Sequence, residues 1–290
     1  VTSIKEIKKQ ISSVVNTKKI TKAMEMVAIS KMRKTEDRMR SSRPYADIIQ
    51  QVINHVLQGK LEYKHMYLKK RKVKRIGMII ISTDRGLCGS LNTNLFKQVL
   101  LKIQEFAEIN VSCELILFGL KSLSVFKLFK NHILAQITHL GEYPSLDDVI
   151  NSVKIIFNKY QLEHIDKIFL AYNKFHNKIF QSPQITELLP ISNIEYKHTN
   201  CKNWDYLYEP ESKIILDTLF NRYVESQVYQ SILENIASEQ AARMISMKKA
   251  TDNSSDRIKE LQLIYNKIRQ SNITQELTEI ISGASAISID

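Results

Sequence analysis

Glycine and proline are scarce in this 290-residue chain, with seven and five copies, and their placement says more than their number. No glycine occurs before Gly59, no proline occurs after Pro210, and no glycine lies between Pro210 and Gly283. The stretch from Glu211 to Ser282 therefore lacks both residues that cost a helix interior most, about 1 kcal/mol for glycine and about 3 for proline, and the first 58 residues lack glycine. Cysteine is nearly absent too: Cys88, Cys113 and Cys201 are odd in number, far apart and without a Cys-x-x-Cys pair. That excludes a disulfide framework and a zinc site and fits a reducing compartment. The seven histidines are scattered, with no metal-ligand spacing such as His-Glu-x-x-His. No apolar run approaches the ~18 residues of a membrane span, and the lysine-rich start lacks the apolar core of a secretory signal. The expected location is the cytosol, or a surface at its edge.

Acidic residues are missing from one end. Residues 1 to 75 carry 20 Lys/Arg against 6 Asp/Glu, whereas residues 76 to 290 carry 22 against 24, so the net charge of +12 sits in the first quarter of the chain. A basic stripe of this kind suits nucleic acid, an anionic membrane surface or an acidic protein partner, and charge alone does not rank them.

Both ends carry helical patterning. From Glu211 to Ile287 the apolar residues Leu216, Leu219, Tyr223, Leu233, Ala237, Met244, Met247, Ile258, Leu261, Tyr265 and Ile268 fall on one alternating three-and-four spacing, the register of a seam along another helix. Ser226, Gln230, Gln240, Thr251 and Ser254 interrupt that seam, so its middle is too polar to be dry throughout. At about 1.5 Å per residue such a helix reaches about 115 Å, too long to bury itself in its own globule. Ile4, Ile7, Ile11 and Val14 open a matching stripe at the other end, which continues through Ile20, Met24, Val27 and Met32 to Ile53 and Val56. Pro44 predicts a kink or short break there. Residues 1–58 and 211–290 are thus two long helices, each the natural partner of the other.

Between them lie a lysine-rich linker, 59–74, and an α/β domain, 75–210. Short apolar runs at Ile76–Ser82, Cys113–Phe118, Ile133–Thr138 and Lys167–Tyr172 alternate with helical stretches at Asn92–Asn110, Leu120–Lys130 and Ser145–Tyr160, and a hairpin-like run follows near Ile179–Leu188. Strands this apolar imply a largely parallel sheet covered by helices. The loop Asp84-Arg85-Gly86-Leu87-Cys88-Gly89 follows a strand and precedes a helix, where a phosphate site would lie. Its glycines stand three apart, matching neither G-x-G-x-x-G nor a P-loop, and Leu117 and Phe118 occupy the place of a ribose-binding carboxylate. A structural turn is the expectation, with Cys88 a buried, inert thiol and no cofactor. The basic cluster KKITKAMEMVAISKMRKTEDRMR (Lys18 to Arg40) interleaves methionines with charge, which suits packing against an adaptable partner as well as a solvated helix face.

KKITKAMEMVAISKMRK (Lys18 to Lys34), STDRGLCGSLN (Ser82 to Asn92), WDYLYEP (Trp204 to Pro210), YVESQVYQSILENIASEQAARMISMKKATDN (Tyr223 to Asn253) and RQSNITQELTEIISGA (Arg269 to Ala284) resemble the gamma subunit of F-type rotary ATP synthases. The similarity is to bacterial members, because the first helix begins at residue 2. The resemblance implies two terminal helices wound into an antiparallel coiled coil with an inserted Rossmann-like α/β domain. It implies a non-catalytic shaft, turning inside a collar of alpha and beta subunits and fixed at its foot to the epsilon subunit and the membrane c-ring. It places Met24, Lys31, Arg33 and Lys34 against acidic loops of beta, and Arg269, Gln270, Thr274, Glu276 and Thr278 in the upper bearing. Tyr206 and Glu209 fall at the foot, facing the c-ring. Membrane contact runs only through partners, on the cytoplasmic side of the bacterial inner membrane, and nucleic acid is not a partner. Two other classes are distinguishable from this one: a nucleotide-binding cytosolic enzyme would need a fingerprint loop, and a nucleic-acid-binding coiled coil would bind with a steep salt dependence.

Overall fold

The computed structural model describes residues 4–58, 65–139, 141, 144–191 and 212–287. The chain divides into two compact units, one made of the residues up to Ala28 together with those from Met244 onward, the other of Ile29–Arg243.

Within the larger unit, strands β1 (Arg75–Ile81), β2 (Ser112–Phe118), β3 (Ile133–Ile137), β4 (Lys167–Phe175) and β5 (Gln181–Leu189) form one sheet in the order β3-β2-β1-β4-β5. The first four run parallel, and β5 returns antiparallel to β4. β1 is central, with Ile79 paired to Ile116 on one side and Leu170 on the other, which is why its run of isoleucines is buried on both faces. Alternation sorts its side chains. Ile76, Met78 and Ile80 pack with Leu95, Phe96 and Val99 of helix α2 (Leu91–Glu108) and Phe126 of α3 (Leu120–Phe126). Ile79 and Ile81 join the opposite core, with Val149, Val153, Ile156 and Tyr160 of α4 (Leu146–Gln161). Ser145 caps α4, its hydroxyl accepting from the Asp148 amide at 3.1 Å.

The second core also takes in both terminal helices. Helix α1 (Ile4–Gln58) contributes Ile49, Ile53 and Val56, and α5 (Ser212–Ile287) contributes Leu216, Phe220, Val224, Val228, Ile232 and Ile236. The sheet thus uses parts of the terminal helices as its third layer. The stretch expected to be a linker contributes two buried side chains. His65 and Tyr67, around a short 3-10 turn (Met66–Leu68), are buried, with Tyr67 Oη donating to Asn221 Oδ1 at 2.9 Å and His65 Nε2 lying 3.1 Å from Asp217 Oδ1.

α1 continues through Pro44 without the expected break. Ser41 and Ser42, in the turn before it, donate to the carbonyls of Arg38 and Met39. The polar seam residues of α5 are met by polar partners on α1. In the smaller unit the hydroxyls of Thr21 and Thr251 lie 2.8 Å apart and the Lys8 ammonium sits over the Tyr265 ring, so α1 numbers rise as α5 numbers fall and the pair is antiparallel. In the larger unit Ser42 Oγ lies 2.9 Å from Gln230 Oε1.

Gly119 is required between β2 and α3. Its φ is +88°, and a Cβ there would sit 2.7 Å from the Ser82 carbonyl oxygen. Gly119→Ala is expected to lower unfolding stability by at least about 1–3 kcal/mol in denaturant titration. Burial holds the His65 imidazole below its ordinary pKa against the opposing pull of Asp217. The unfolded chain then binds the proton more readily, so stability is full above about pH 6.5 and declines as pH falls below it. His65→Phe is expected to flatten that part of the stability profile.

Candidate functional site

In doubly wound sheets the ligand crevice opens beyond the carboxyl ends of the strands where the strand order reverses, here between β1 and β4. A helix fills it. Asn235 of α5 accepts at its Oδ1 from the Asn173 backbone amide at 3.3 Å and from Asn173 Nδ2 at 2.9 Å, and its Nδ2 donates to the Ser82 carbonyl at 3.5 Å. Ser238, one turn on, donates to the Asn173 carbonyl at 3.0 Å. Asn173, Asn235 and Ser238 are all buried.

The Asp84–Gly89 loop uses its polar groups internally. Thr83 Oγ1 donates to the Arg85 carbonyl at 2.7 Å and accepts from Asn92 Nδ2, while the Asp84 carboxylate accepts from the amides of Leu120 and His139. Leu87 and Gly89 adopt positive φ, as a tight turn requires. Arg243 of α5 donates to the Gly86 carbonyl at 3.2 Å and to Glu239 at 2.6 Å. Burial and the nearby Glu239 push the Cys88 thiol above its ordinary pKa, and burial pushes Cys113 to about 12; neither is a poised nucleophile. Among the described residues no cluster of His, Cys, Asp and Glu could hold a metal, and no helix is long and apolar enough to cross a membrane.

Met24 is half-buried on the part of α1 in the smaller unit. In the larger unit Arg33 and Lys34 are exposed, and half-buried Lys31 lines a cleft of about 220 Å³ with Asp84, Arg85, His139, Glu239 and Arg243. Arg269, Gln270, Thr274, Glu276 and Thr278 are exposed on α5, and the Thr274 and Thr278 hydroxyls turn back onto their own helix. That end of α5 also exposes Ile273, Leu277 and Ile280, an apolar stripe. Tyr206 and Glu209 lie outside the described residues. Sequence reasoning missed Asn173, Asn235 and Arg243; the available signal was an asparagine set inside the apolar stretch Ile232 to Ala237.

A family model described as ATP synthase matches residues 3–287. A protein of Buchnera aphidicola subsp. Acyrthosiphon pisum (strain Tuc7), named ATP synthase gamma chain, is 74% identical over 289 residues, covering 100% of both chains. One of the same name from Buchnera aphidicola subsp. Schizaphis graminum (strain Sg) is 71% identical, covering 99% of both. Among solved structures, a chain of the Euglena gracilis mitochondrial ATP synthase OSCP/F1/c-ring assembly superposes with a TM-score of 0.66 at 23% identity, covering 98% of this chain and 94% of that one. A chain of the Tetrahymena thermophila mitochondrial ATP synthase central stalk and c-ring does so at 0.58 and 25% identity, covering 80% and 99%. A chain whose nucleotide crevice is filled by its own helix, and which matches these relatives from end to end, belongs to the ATP synthase gamma-chain family.

Proposed function

We propose that this chain is the rotating central shaft of an F-type ATP synthase, a non-catalytic subunit that couples proton passage through the membrane c-ring to ATP synthesis or hydrolysis at the beta subunits. The observation that carries the reading is the end of α5, where residues 269–284 are exposed around the whole helix and turn Ile273, Leu277 and Ile280 outward. A single helix with an exposed apolar stripe needs a surrounding sleeve, and a collar of alpha and beta subunits supplies one. The antiparallel pairing of α1 with α5 and the filled crevice agree with a mechanical part and disfavour a nucleotide-binding enzyme.

The roles follow the chain. Residues 1–58 and 211–290 form the two strands of the shaft, 75–210 the α/β domain of its foot, and 59–74 the segment between. Arg269, Gln270, Thr274, Glu276 and Thr278 turn in the upper bearing. Met24, Lys31, Arg33 and Lys34 pass the acidic loops of beta. Tyr206 and Glu209 hold the foot to the c-ring, beside the epsilon subunit, on the cytoplasmic side of the bacterial inner membrane.

Two experiments test the assignments. Lys31, Lys34 and Arg38 share one side of α1, with Arg33 beside it. Rim contacts to beta are worth roughly 0.2–1 kcal/mol each, weak enough to be remade at every step. Single alanine changes are expected to be tolerated, while reversing Lys31, Arg33 and Lys34 together to Glu leaves ATP hydrolysis measurable and lowers the protons pumped per ATP. The loss is expected to shrink toward ~1 M salt, where the screening length is about 3 Å; unchanged pumping at low salt would make the stripe a solvated face. Tyr206→Cys is expected to cross-link to the polar loop of the c-ring in membranes, and failure across several linker lengths would remove that residue from the foot contact.

A further inference from the structure

Six of the seven residues from Lys69 to Arg75 are cations, and none is an acid. Burial alternates along this segment. The Arg71 guanidinium lies over the Tyr160 ring at 5.0 Å and Val73 packs against the core that β1 shares with α2, so Lys70, Lys72 and Lys74 turn outward and are exposed. Glu163 lies 3.8 Å from Lys69 and 3.4 Å from Arg71, while Asp166 accepts from the backbone amides of Lys74 and Arg75 at 2.7 and 3.0 Å. Among the described residues Lys70, Lys72, Lys74 and Arg75 form no ion pair. Like charges this close repel, so the run costs the folded chain stability unless an anionic surface meets it.

The surroundings of the run say what kind of surface that is. The Ser112 amide donates to the Lys74 carbonyl at 3.3 Å and the Asp166 amide to the Arg75 carbonyl at 2.9 Å, so the connections after α2 and α4 flank the run on either side. Each connection tips an apolar residue into solvent: Ile109 is 70% exposed and Leu162 66%. Cations beside exposed apolar tips are the paired signals that hold a protein at a bilayer surface, where charge draws anionic headgroups and the apolar side chain enters the interface. Lysine outnumbers arginine among the exposed cations, and its point charge suits a diffuse field better than the fixed bidentate contacts of a shaped partner. In the larger unit α5 meets His65 and Tyr67 through Asp217 and Asn221, and reaches the opposite end of the sheet at Asn235 and Ser238. The run therefore lies at the end of this unit where α5 begins, the end that the rotary reading turns toward the c-ring.

We propose that Lys70, Lys72, Lys74 and Arg75, with Ile109 and Leu162 beside them, form a surface that rests on anionic phospholipid headgroups next to the c-ring, adding a direct lipid contact to the one made through partner subunits. This rests on the rotary reading above. Headgroups diffuse and hold no fixed pattern, so contacts of this kind are remade as the foot turns and favour no single orientation.

The test uses the full chain assembled with alpha and beta subunits but without the membrane subunits, so that the foot is free. It measures co-sedimentation with vesicles of phosphatidylcholine alone or mixed with phosphatidylglycerol. Native protein is expected on the mixed vesicles at low salt and on neither kind at high salt, where screening removes the attraction. Lys70→Gln/Lys72→Gln/Lys74→Gln is expected to weaken that binding by about fivefold per lysine. Its melting temperature and ATP hydrolysis are expected to stay near native, because all three side chains are exposed. Ile109→Asn/Leu162→Asn is expected to weaken binding to the mixed vesicles without changing its salt dependence, a readout that solvated charge alone would not move. Absence of native binding, equal binding to both kinds of vesicle, or native binding by the triple variant overturns the inference. So does a triple variant that keeps native vesicle binding yet loses its hold on epsilon or the c-ring, which would assign the run to an acidic protein partner. Failure of the rotary reading would appear separately, as full chain that recruits no alpha or beta subunits whatever vesicles it binds.

Discussion

One constraint shapes the larger unit: α5 must cover a sheet face that the chain between β1 and β5 cannot cover alone. That segment offers α4 for the face, while α2 and α3 serve the other side. The remaining area is closed by Leu216 to Ile236 of α5 and Ile49 to Val56 of α1. Helix and sheet are thus one body at the foot, and the helices cannot be removed without opening a core. At the other end of α5 the requirement reverses, and residues 269–284 are exposed. A single element is therefore anchored by burial at one end and left available at the other, which is the division of labour a shaft requires.

The same docking brings α5 side chains to the strand ends where doubly wound sheets elsewhere bind ligands. The crevice at the strand-order reversal is a surface of unsatisfied strand ends, and ligands bind it elsewhere because it needs polar partners. Asn235 and Ser238 supply those partners from within the chain. The preceding loop, with Asp84 tied to the amides of Leu120 and His139, is a structural corner for the same reason. Fold and function separate cleanly here: the sheet is shared with dinucleotide-binding proteins, and the site is not.

Much of the architecture was legible in the residues. Helical patterning at the two ends marks α1 and α5, and the β-branched runs mark the parallel strands, because helix and strand periodicities are local properties. What stayed hidden depended on tertiary contact. Pro44 reads as a break, yet α1 runs through it, with Ser41 and Ser42 bonded back to their own helix. The lysines around residue 70 mask a buried Tyr67, whose partners Asn221 and Gln161 are far away in sequence. Polar seam residues such as Gln230 and Thr251 read as interruptions, and only the facing Ser42 and Thr21 explain them. The outward positions of Arg33, Lys34 and the upper α5 residues follow from helix period, whereas their partners became legible only through family-specific motifs.

The central claim is that this chain turns. With an assembled collar of alpha and beta subunits fixed to a surface and a bead attached through Lys178→Cys at the exposed β4–β5 turn, ATP is predicted to drive continuous rotation in one direction, in steps that repeat three times per revolution. A bead that only fluctuates about one orientation, while the collar hydrolyses ATP at its normal rate, would contradict the account.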